Sequence, residues 1–167
     1  MSETKTLVLS HKQILQKITR IAYEIYERNV AEEGVVFAGI EGMGNQLAQL
    51  LAASLKQISP LNVEQLEVKL DKNAITQGPV QLSKQINLEN KCLIIVDDVL
   101  NTGKTLAYAL KPFLEVPLKK MEIAVLVNRS HKLFPVTPDY TGYELSTTLN
   151  DHIEVDLTSQ QYTVHLH

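Results

Sequence analysis

Three uninterrupted apolar runs restrict this chain to a small set of folds. They lie at residues 35–40, 93–96 and 123–127. A strand with one face in water alternates apolar and polar residues, whereas a strand covered on both faces reads as a continuous apolar run. The runs therefore predict the central strands of a mostly parallel sheet with helices packed on both faces, which is an α/β fold.

Segments with helical periodicity lie between these runs. Ser10 and Gln13 have the form of a capping box at a helix start, and Ser59-Pro60 has the form of a helix stop. A third helix is predicted after Gly103, and Pro112 is expected to break it or to start a new turn. The apolar stripe of the first predicted helix consists of Ile14, Ile18, Ile21 and Ile25, and that of the second consists of Leu47, Leu50, Leu51, Leu55 and Ile58. Further strands are predicted over 63–70, 153–157 and 162–167.

Length and charge narrow the class of protein further. The 167 residues predict a single domain over 1–167, in which the polar, aperiodic stretch 71–90 forms a flap, either a loop or a short hairpin. The formal net charge of −3 disfavours a protein whose main role is to hold nucleic acid.

Cys92 is the single cysteine, which excludes a disulfide framework. Residues 1–6 contain no signal-peptide pattern and no apolar run is of membrane-spanning length, so we expect a cytoplasmic protein.

The segment 93–105, LIIVDDVLNTGKT, contains the residues that indicate chemistry. Two adjacent carboxylates, Asp97 and Asp98, follow a buried strand, and residues 101–105 lead into a helix start. Backbone N–H groups at a helix start, together with two hydroxyls, form a cradle for an anion. Carboxylates beside such a cradle fit a ligand with hydroxyls next to its phosphate, because carboxylates accept hydrogen bonds from sugar hydroxyls. A ribose 5-phosphate has both groups.

Two commoner nucleotide motifs do not fit the chain. A P-loop requires a glycine five residues before Gly103, where this sequence has Asp98. The dinucleotide fingerprint requires a third glycine after Gly42-Met43-Gly44, and Leu47 stands in that place.

The same segment resembles the phosphoribosyl pyrophosphate motif of type I phosphoribosyltransferases: an apolar strand, two acids, two apolar residues and a Thr-Gly-x-Thr phosphate loop. Across most of the chain the resemblance is to one branch of that family, the bifunctional pyrimidine operon attenuators and uracil phosphoribosyltransferases. It extends to 19–29 (TRIAYEIYERN), 39–44 (GIEGMG), 124–131 (AVLVNRSH) and Asp139-Tyr140-x-Gly142. It implies the type I phosphoribosyltransferase fold, a central mostly parallel sheet flanked by helices, with a small flap (hood).

The resemblance also implies a role for each matching position. The two acids would hold the ribose hydroxyls, directly or through water on a Mg²⁺ that arrives with phosphoribosyl pyrophosphate (PRPP). Residues 101–105 would cradle the 5-phosphate, and 42–44 would approach the pyrophosphate through backbone N–H groups. The implied catalytic residues are Asp97, Asp98, Lys72 and Arg129, with Asp97 and Asp98 also holding the metal; the implied PRPP-binding residues are Asn101, Thr102, Gly103, Lys104, Thr105, Gly42, Met43 and Gly44.

The implied reaction is transfer of the phosphoribosyl group of PRPP to a pyrimidine base, uracil first, with release of pyrophosphate, in a homo-oligomer such as a dimer. Three departures reduce the expected catalytic power. Met43 and Lys72 stand where the branch has arginine, and the flap is shorter, which leaves a catalytically weak nucleotide sensor as an alternative. Asn101 replaces the acid that purine-type enzymes use as a base, and this disfavours hypoxanthine or guanine.

An RNA-binding regulator that keeps the nucleotide site as a sensor is the other alternative. Thr19, Arg20, Arg28 and Lys132 lie where the branch contacts RNA. However, Tyr23, Thr137 and Tyr143 stand where basic residues or histidine are expected. Phosphate contacts dominate RNA affinity, so we predict weak RNA binding.

Simpler explanations remain open for several of these residues. The two acids alone are also consistent with a solvated strand end, and the glycines at 42–44 with a plain strand-to-helix turn. Lys72 is also consistent with a solvated lysine, and Arg129 with His131 as a surface hydrogen-bonded pair.

Overall fold

The computed structural model of the protein describes residues 4–72, 78–148 and 150–167. The predicted central strands and the three predicted helices are present. The helices are α1 (His11–Arg28), α2 (Met43–Ile58) and α3 (Lys104–Leu114); the strands are β1 (Thr6–Leu9), β2 (Gly34–Ile40), β3 (Asn62–Lys69), β4 (Gln81–Leu82), β5 (Cys92–Leu100), β6 (Lys120–Asn128), β7 (Tyr140–Glu144), β8 (Ile153–Asp156) and β9 (Thr163–Leu166).

The main sheet has six strands in the order β4-β3-β2-β5-β6-β7. Five of them are parallel, and β4 pairs antiparallel with β3. The chain passes from β2 to β3 on one side and then returns to place β5 on the other side of β2. The direction of winding therefore reverses between β2 and β5. In open parallel sheets, ligands bind outside the carboxyl ends of the strands at such a reversal.

Helices cover both faces of this sheet, as the continuous apolar runs predict. Phe37 and Ile94 pack into a core with α1 and α2, whereas their neighbours Ala38 and Ile95 pack into a second core with α3. The helix boundaries follow local signals. Ser10 Oγ accepts from Gln13 N at 3.3 Å and Gln13 Oε1 accepts from Ser10 N at 2.9 Å, which confirms the capping box.

A second, three-stranded antiparallel sheet joins the two ends of the chain, in the order β1-β9-β8. Thr6 lies opposite Leu166 in β9, and Ile153 of β8 lies opposite the same residue. The two late strands were predicted, but β1, β7 and the sheet itself were not. This small sheet matters for function because β8 begins at the wall of the candidate site.

Two predicted boundaries are wrong. The strand predicted over 93–96 does not end at the acids, because pairing with β6 continues from Asp97 opposite Val125 to Leu100. Asp97 is 2% exposed, so it does not lie at a solvated strand end. Helix α3 contains Pro112 and ends two residues later, since a proline in the last turn costs few of the helix hydrogen bonds.

The predicted flap is described in part. Residues 73–77 lie outside the described residues, while β4 forms a short hairpin with the end of β3. Among the described helices, none has the length and apolar character needed to cross a bilayer.

Candidate active site

A cavity of about 390 Å³ opens at the carboxyl end of β5. It is lined by Lys72, by residues 97–106, and by His152 and Ile153 from the second sheet. Both acids and all of the predicted phosphate loop therefore face one space, beside the reversal between β2 and β5. Of the other predicted site residues, Gly44 closely approaches Asp97 and Arg129 bonds Asn101, although neither lines the cavity.

Asp97 and Asp98 both form ion pairs with Lys72. Lys72 Nζ lies 2.9 Å from Asp97 Oδ1 and 3.4 Å from Asp98 Oδ1. Burial, followed by the charge of Asp98, raises the pKa of Asp97 to about 8, although Lys72 opposes the shift. Burial lowers the pKa of Lys72, but the two carboxylates outweigh it and the net shift of that pKa is upward. The site thus holds a buried acid whose ionisation is disfavoured, next to a charged lysine.

The raised pKa of Asp97 predicts a pH dependence of stability in metal-free buffer. The folded state holds the Asp97 proton more tightly than the unfolded chain, whose ordinary Asp pKa is about 3.9. Its contribution to stability is therefore fully present below about pH 4 and is lost as the pH rises towards 8. Urea unfolding from pH 5 to pH 8 should show wild type losing stability relative to Asp97→Asn, by at most about 1.4 kcal/mol per pH unit. A constant difference between the two proteins across this range would contradict the assigned pKa.

The phosphate loop is shaped by Gly103, which has φ +90° and precedes α3. A Cβ at this position would lie 3.2 Å from Phe134 O. The carbonyl of Thr102 accepts from Leu133 N and Phe134 N, at 2.8 and 3.0 Å, and Thr102 Oγ1 accepts from Lys104 N at 3.3 Å. Backbone contacts thus fix the loop so that the positive end of α3 faces the cavity.

Gly42 and Gly44 are each required to be glycine, but for different physical reasons. Gly42 has φ +94° and open space around it, so it is required by its backbone conformation. Gly44 is buried, and a Cβ there would lie 2.9 Å from Asp97 Oδ1, so it is required by the close approach of α2 to the acid. Met43 points away from the acids: it packs on the first core, and its Sδ lies 3.4 Å from Leu157 N.

Arg129 is buried, with 8% of its surface exposed, and it joins two loops. Its Nη1 donates to Asn101 Oδ1 at 2.9 Å, on the phosphate loop. Its Nε donates to Thr147 Oγ1 at 2.9 Å, and its Nη2 donates to the carbonyls of Thr148 and Asp151 at 3.1 and 2.7 Å. The guanidinium therefore joins the predicted phosphate loop to Thr147, Thr148 and Asp151.

This geometry predicts the effect of changing Arg129. Arg129→Ala should lower the free energy of unfolding by about 1–3 kcal/mol, because part-buried acceptors on two loops lose a buried charged donor. Arg129→Lys should recover only part of this, since one ammonium cannot replace a planar fork that reaches two loops. Ribose 5-phosphate affinity, measured by calorimetry, should fall in both variants. Arg28→Ala is the control, because Arg28 is half exposed and its ion pair with Glu122 spans 3.8 Å; a loss of the same size there would contradict the prediction.

Outside the segment 97–106, sequence reasoning missed two of the residues that line the cavity, His152 and Ile153. No local motif marks His152, which immediately precedes β8. The only hint in the sequence concerns Ile153, which is the first residue of the predicted strand 153–157. Both reach the cavity because the second sheet places the start of β8 there.

The two acids fit a Mg²⁺ that arrives with its substrate. In the described part of the chain, no group of three or more His, Cys, Asp or Glu side chains could hold a metal ion. Mg²⁺ keeps several waters and is commonly bound through one or two carboxylates plus substrate phosphates. Asp97 and Asp98 supply such a pair, with Lys72 as a competing cation on the same oxygens.

A parallel sheet that presents paired acids and a phosphate loop at one strand end is the arrangement expected of nucleotide-handling transferases. The chain belongs to the phosphoribosyl transferase domain family, which matches residues 6–161. This confirms the family predicted from residues 93–105.

Curated relatives make the similarity more specific. The chain is 34% identical over 165 residues to the bifunctional protein PyrR of Bacillus pumilus, covering 93% of this chain and 92% of that protein. It is 33% identical to the bifunctional protein PyrR of Bacillus cereus over an alignment of 177 positions, gaps included, which covers 99% of this chain and 98% of that protein. A solved hypoxanthine phosphoribosyltransferase of Trypanosoma cruzi has a TM-score of 0.79, with 15% identity over 95% of each chain. The last similarity confirms the predicted fold.

Proposed function

We propose that this protein transfers the phosphoribosyl group of PRPP to a pyrimidine base, with uracil as the preferred acceptor and pyrophosphate as the second product. The observation that carries the proposal is the single cavity that holds Asp97 and Asp98 beside the 101–105 loop. An anion cradle and paired hydroxyl acceptors fit the two ends of a ribose 5-phosphate.

In the proposed reaction a ring nitrogen of the base attacks the anomeric carbon of the ribose. The bond from that carbon to the pyrophosphate oxygen breaks, its electron pair leaves with pyrophosphate, and the N–H proton of the base passes to solvent. The 101–105 loop would hold the 5-phosphate, and the two acids would orient the ribose hydroxyls. Such a reaction depends mainly on positioning and on electrostatic stabilisation of charge at the ribose.

The residues around the acids define how a metal could be held. Mg²⁺ bound with PRPP would neutralise pyrophosphate charge as that group leaves. Asp97 and Asp98 would hold it, in competition with the Lys72 ammonium. Lys72 would then be free to face the phosphates, which is consistent with its expected role on the flap.

Two observations support a pyrimidine rather than a purine. The curated relatives at 33–34% identity are PyrR proteins. Asn101, whose Oδ1 accepts from Arg129, is an amide where purine-type enzymes have an acid. Purified protein, PRPP and Mg²⁺ should be assayed with each free nucleobase, and pyrophosphate release should be fastest with uracil. Faster release with hypoxanthine or guanine would reject the pyrimidine assignment, and no release with any base would reject the transferase.

Regulation through RNA is the second candidate, supported by the similarity to proteins described as bifunctional. Two of the three cations expected to contact RNA, Arg20 and Arg28, have other partners within the protein. Arg20 Nη2 donates to the carbonyls of Thr141 and Gly142 at 3.1 and 2.8 Å, and its Nη1 pairs with Glu24. The Arg28 guanidinium lies 4.8 Å from the centre of the Tyr140 ring. These contacts support the lower ranking of this candidate.

We therefore predict only weak, non-specific RNA binding. Each phosphate contact on a single strand contributes about 0.7 to the salt slope, so tight binding at physiological salt needs several available cations. A filter-binding assay should use a pyrimidine-operon leader RNA with and without uridine nucleotides, against a scrambled RNA of equal length. Nanomolar binding that the nucleotides enhance, at physiological salt, would make regulation the primary function.

A further inference from the structure

One wall of the cavity has no assigned role in the reaction proposed above. It is formed by His152 and Ile153 at the start of β8. His152 is exposed, whereas Ile153 is 7% exposed. Of the described residues that line the cavity, His152 alone has an aromatic ring.

His152 is held in place from two directions. Its backbone exchanges hydrogen bonds with His167, with His152 N donating to His167 O at 2.6 Å and His167 N donating to His152 O at 2.9 Å. The two imidazoles meet edge to face, with centroids 5.1 Å apart and an angle of 78°. His167 Nε2 in turn lies 3.2 Å from Glu154 Oε2. The His152 ring is therefore supported before any ligand arrives, which lowers the entropy cost of a contact with it.

We propose that His152 is a specificity-determining residue that recognises the nucleobase. This inference rests on the proposed function. The loop at 101–105 accounts for the phosphate and the acids account for the ribose, so the base is left to the wall that the second sheet supplies. A ring on that wall can stack on a base, and its nitrogens can pair with a ring N–H or carbonyl of a pyrimidine.

The test compares two ligands that differ by the base. Affinities for ribose 5-phosphate and for uridine 5′-monophosphate are measured by calorimetry in wild type, His152→Ala and His152→Phe. In wild type the nucleotide should bind more tightly. His152→Ala should reduce this advantage about tenfold or more, the size expected for loss of one base stack, and should leave ribose 5-phosphate affinity unchanged. His152→Phe should retain part of the advantage, because it keeps a stacking face.

His165→Ala is the matched control. His165 lies in β9 opposite Glu154, in the same small sheet, and it is not among the cavity-lining residues. The control should keep the wild-type ratio of the two affinities. In steady-state assays, His152→Ala should raise KM for uracil while KM for PRPP stays constant.

Each remaining outcome overturns the inference. The inference is wrong if folded His152→Ala keeps the wild-type ratio, if His165→Ala loses it equally, or if wild type binds both ligands equally. In those cases ribose 5-phosphate still binds and the proposed function stands. Failure of wild type to bind either ligand would reject the proposed function itself, and this inference with it.

Discussion

Replacing both Asp97 and Asp98 by asparagine should abolish measurable binding of PRPP and all transfer activity. Both acids line the cavity, and in the proposed reaction they orient the ribose hydroxyls and hold the Mg²⁺. Asparagine keeps the shape of each side chain but cannot ionise, so it lacks the anionic oxygen that Mg²⁺ binding needs and offers one acceptor oxygen where a carboxylate offers two. The variant should fold, because Lys72 is 38% exposed and its ammonium can turn to solvent when its partners are lost. Calorimetry with PRPP and Mg²⁺ measures the loss, and urea unfolding checks the fold.

Glu89→Gln is a suitable control, since this exposed carboxylate lies away from the cavity and should leave PRPP affinity unchanged. The single variants should differ from each other. Asp97→Asn replaces a buried acid of raised pKa next to Gly44, whereas Asp98→Asn removes the more exposed partner of Lys72. Wild-type PRPP affinity in a folded double variant would refute the assignment of these residues.

Gly103→Val should reduce ribose 5-phosphate affinity by at least tenfold and lower the free energy of unfolding. A β-branched residue at φ +90° is strained by about 1–3 kcal/mol, and its Cβ would lie 3.2 Å from Phe134 O. Relief of this strain must move the loop away from residues 133–134, to which Thr102 is bonded, and the helix start would lose its orientation towards the phosphate. Thermal melts and calorimetry measure the two effects.

Two further variants distinguish an effect on the 101–105 loop from a general loss of stability. Gly78→Val introduces the same side chain where nothing described lies within 4 Å of the new Cβ, and it should leave phosphate affinity intact. Thr105→Val keeps the backbone and removes one hydroxyl from the cradle, so its affinity should fall a few-fold without a large change in Tm. Unaltered ribose 5-phosphate affinity in both Gly103→Val and Thr105→Val would place the phosphate elsewhere.

The structure shows what Met43 and Lys72 contact, two positions at which this chain departs from the branch pattern. Met43 stands where the branch has an arginine, and its side chain packs on the core that α2 shares with the second sheet, next to Leu157 N. This position therefore links the two sheets instead of presenting a cation to a pyrophosphate. Lys72 keeps its charge and pairs with both acids.

Much of the main sheet could be predicted from the amino-acid sequence by itself. The continuous runs at 35–40, 93–96 and 123–127 determine strands covered on both faces, and the periodic stripes between them determine helices, because both signals are local and repeat along the chain. The segment 93–105 likewise marks the position of the loop and of the helix start after Gly103, although contacts of Thr102 with residues 133–134 fix the backbone of that loop. The positions of these elements required no knowledge of distant residues.

Only the tertiary structure decided which residues share the cavity and in what chemical state. The small sheet pairs Thr6 with Leu166, and no local pattern encodes contact across that separation. The burial of Asp97 follows from its pairing with β6, and its link to Lys72 follows from the return of the chain after β3. The sequence does not show whether the Arg129 side chain faces solvent or the protein. Its hydrogen bonds to Asn101 and to the carbonyl of Asp151 direct it into the protein. His152 reaches the site for the same reason: long-range packing, rather than the residues beside it, sets its surroundings.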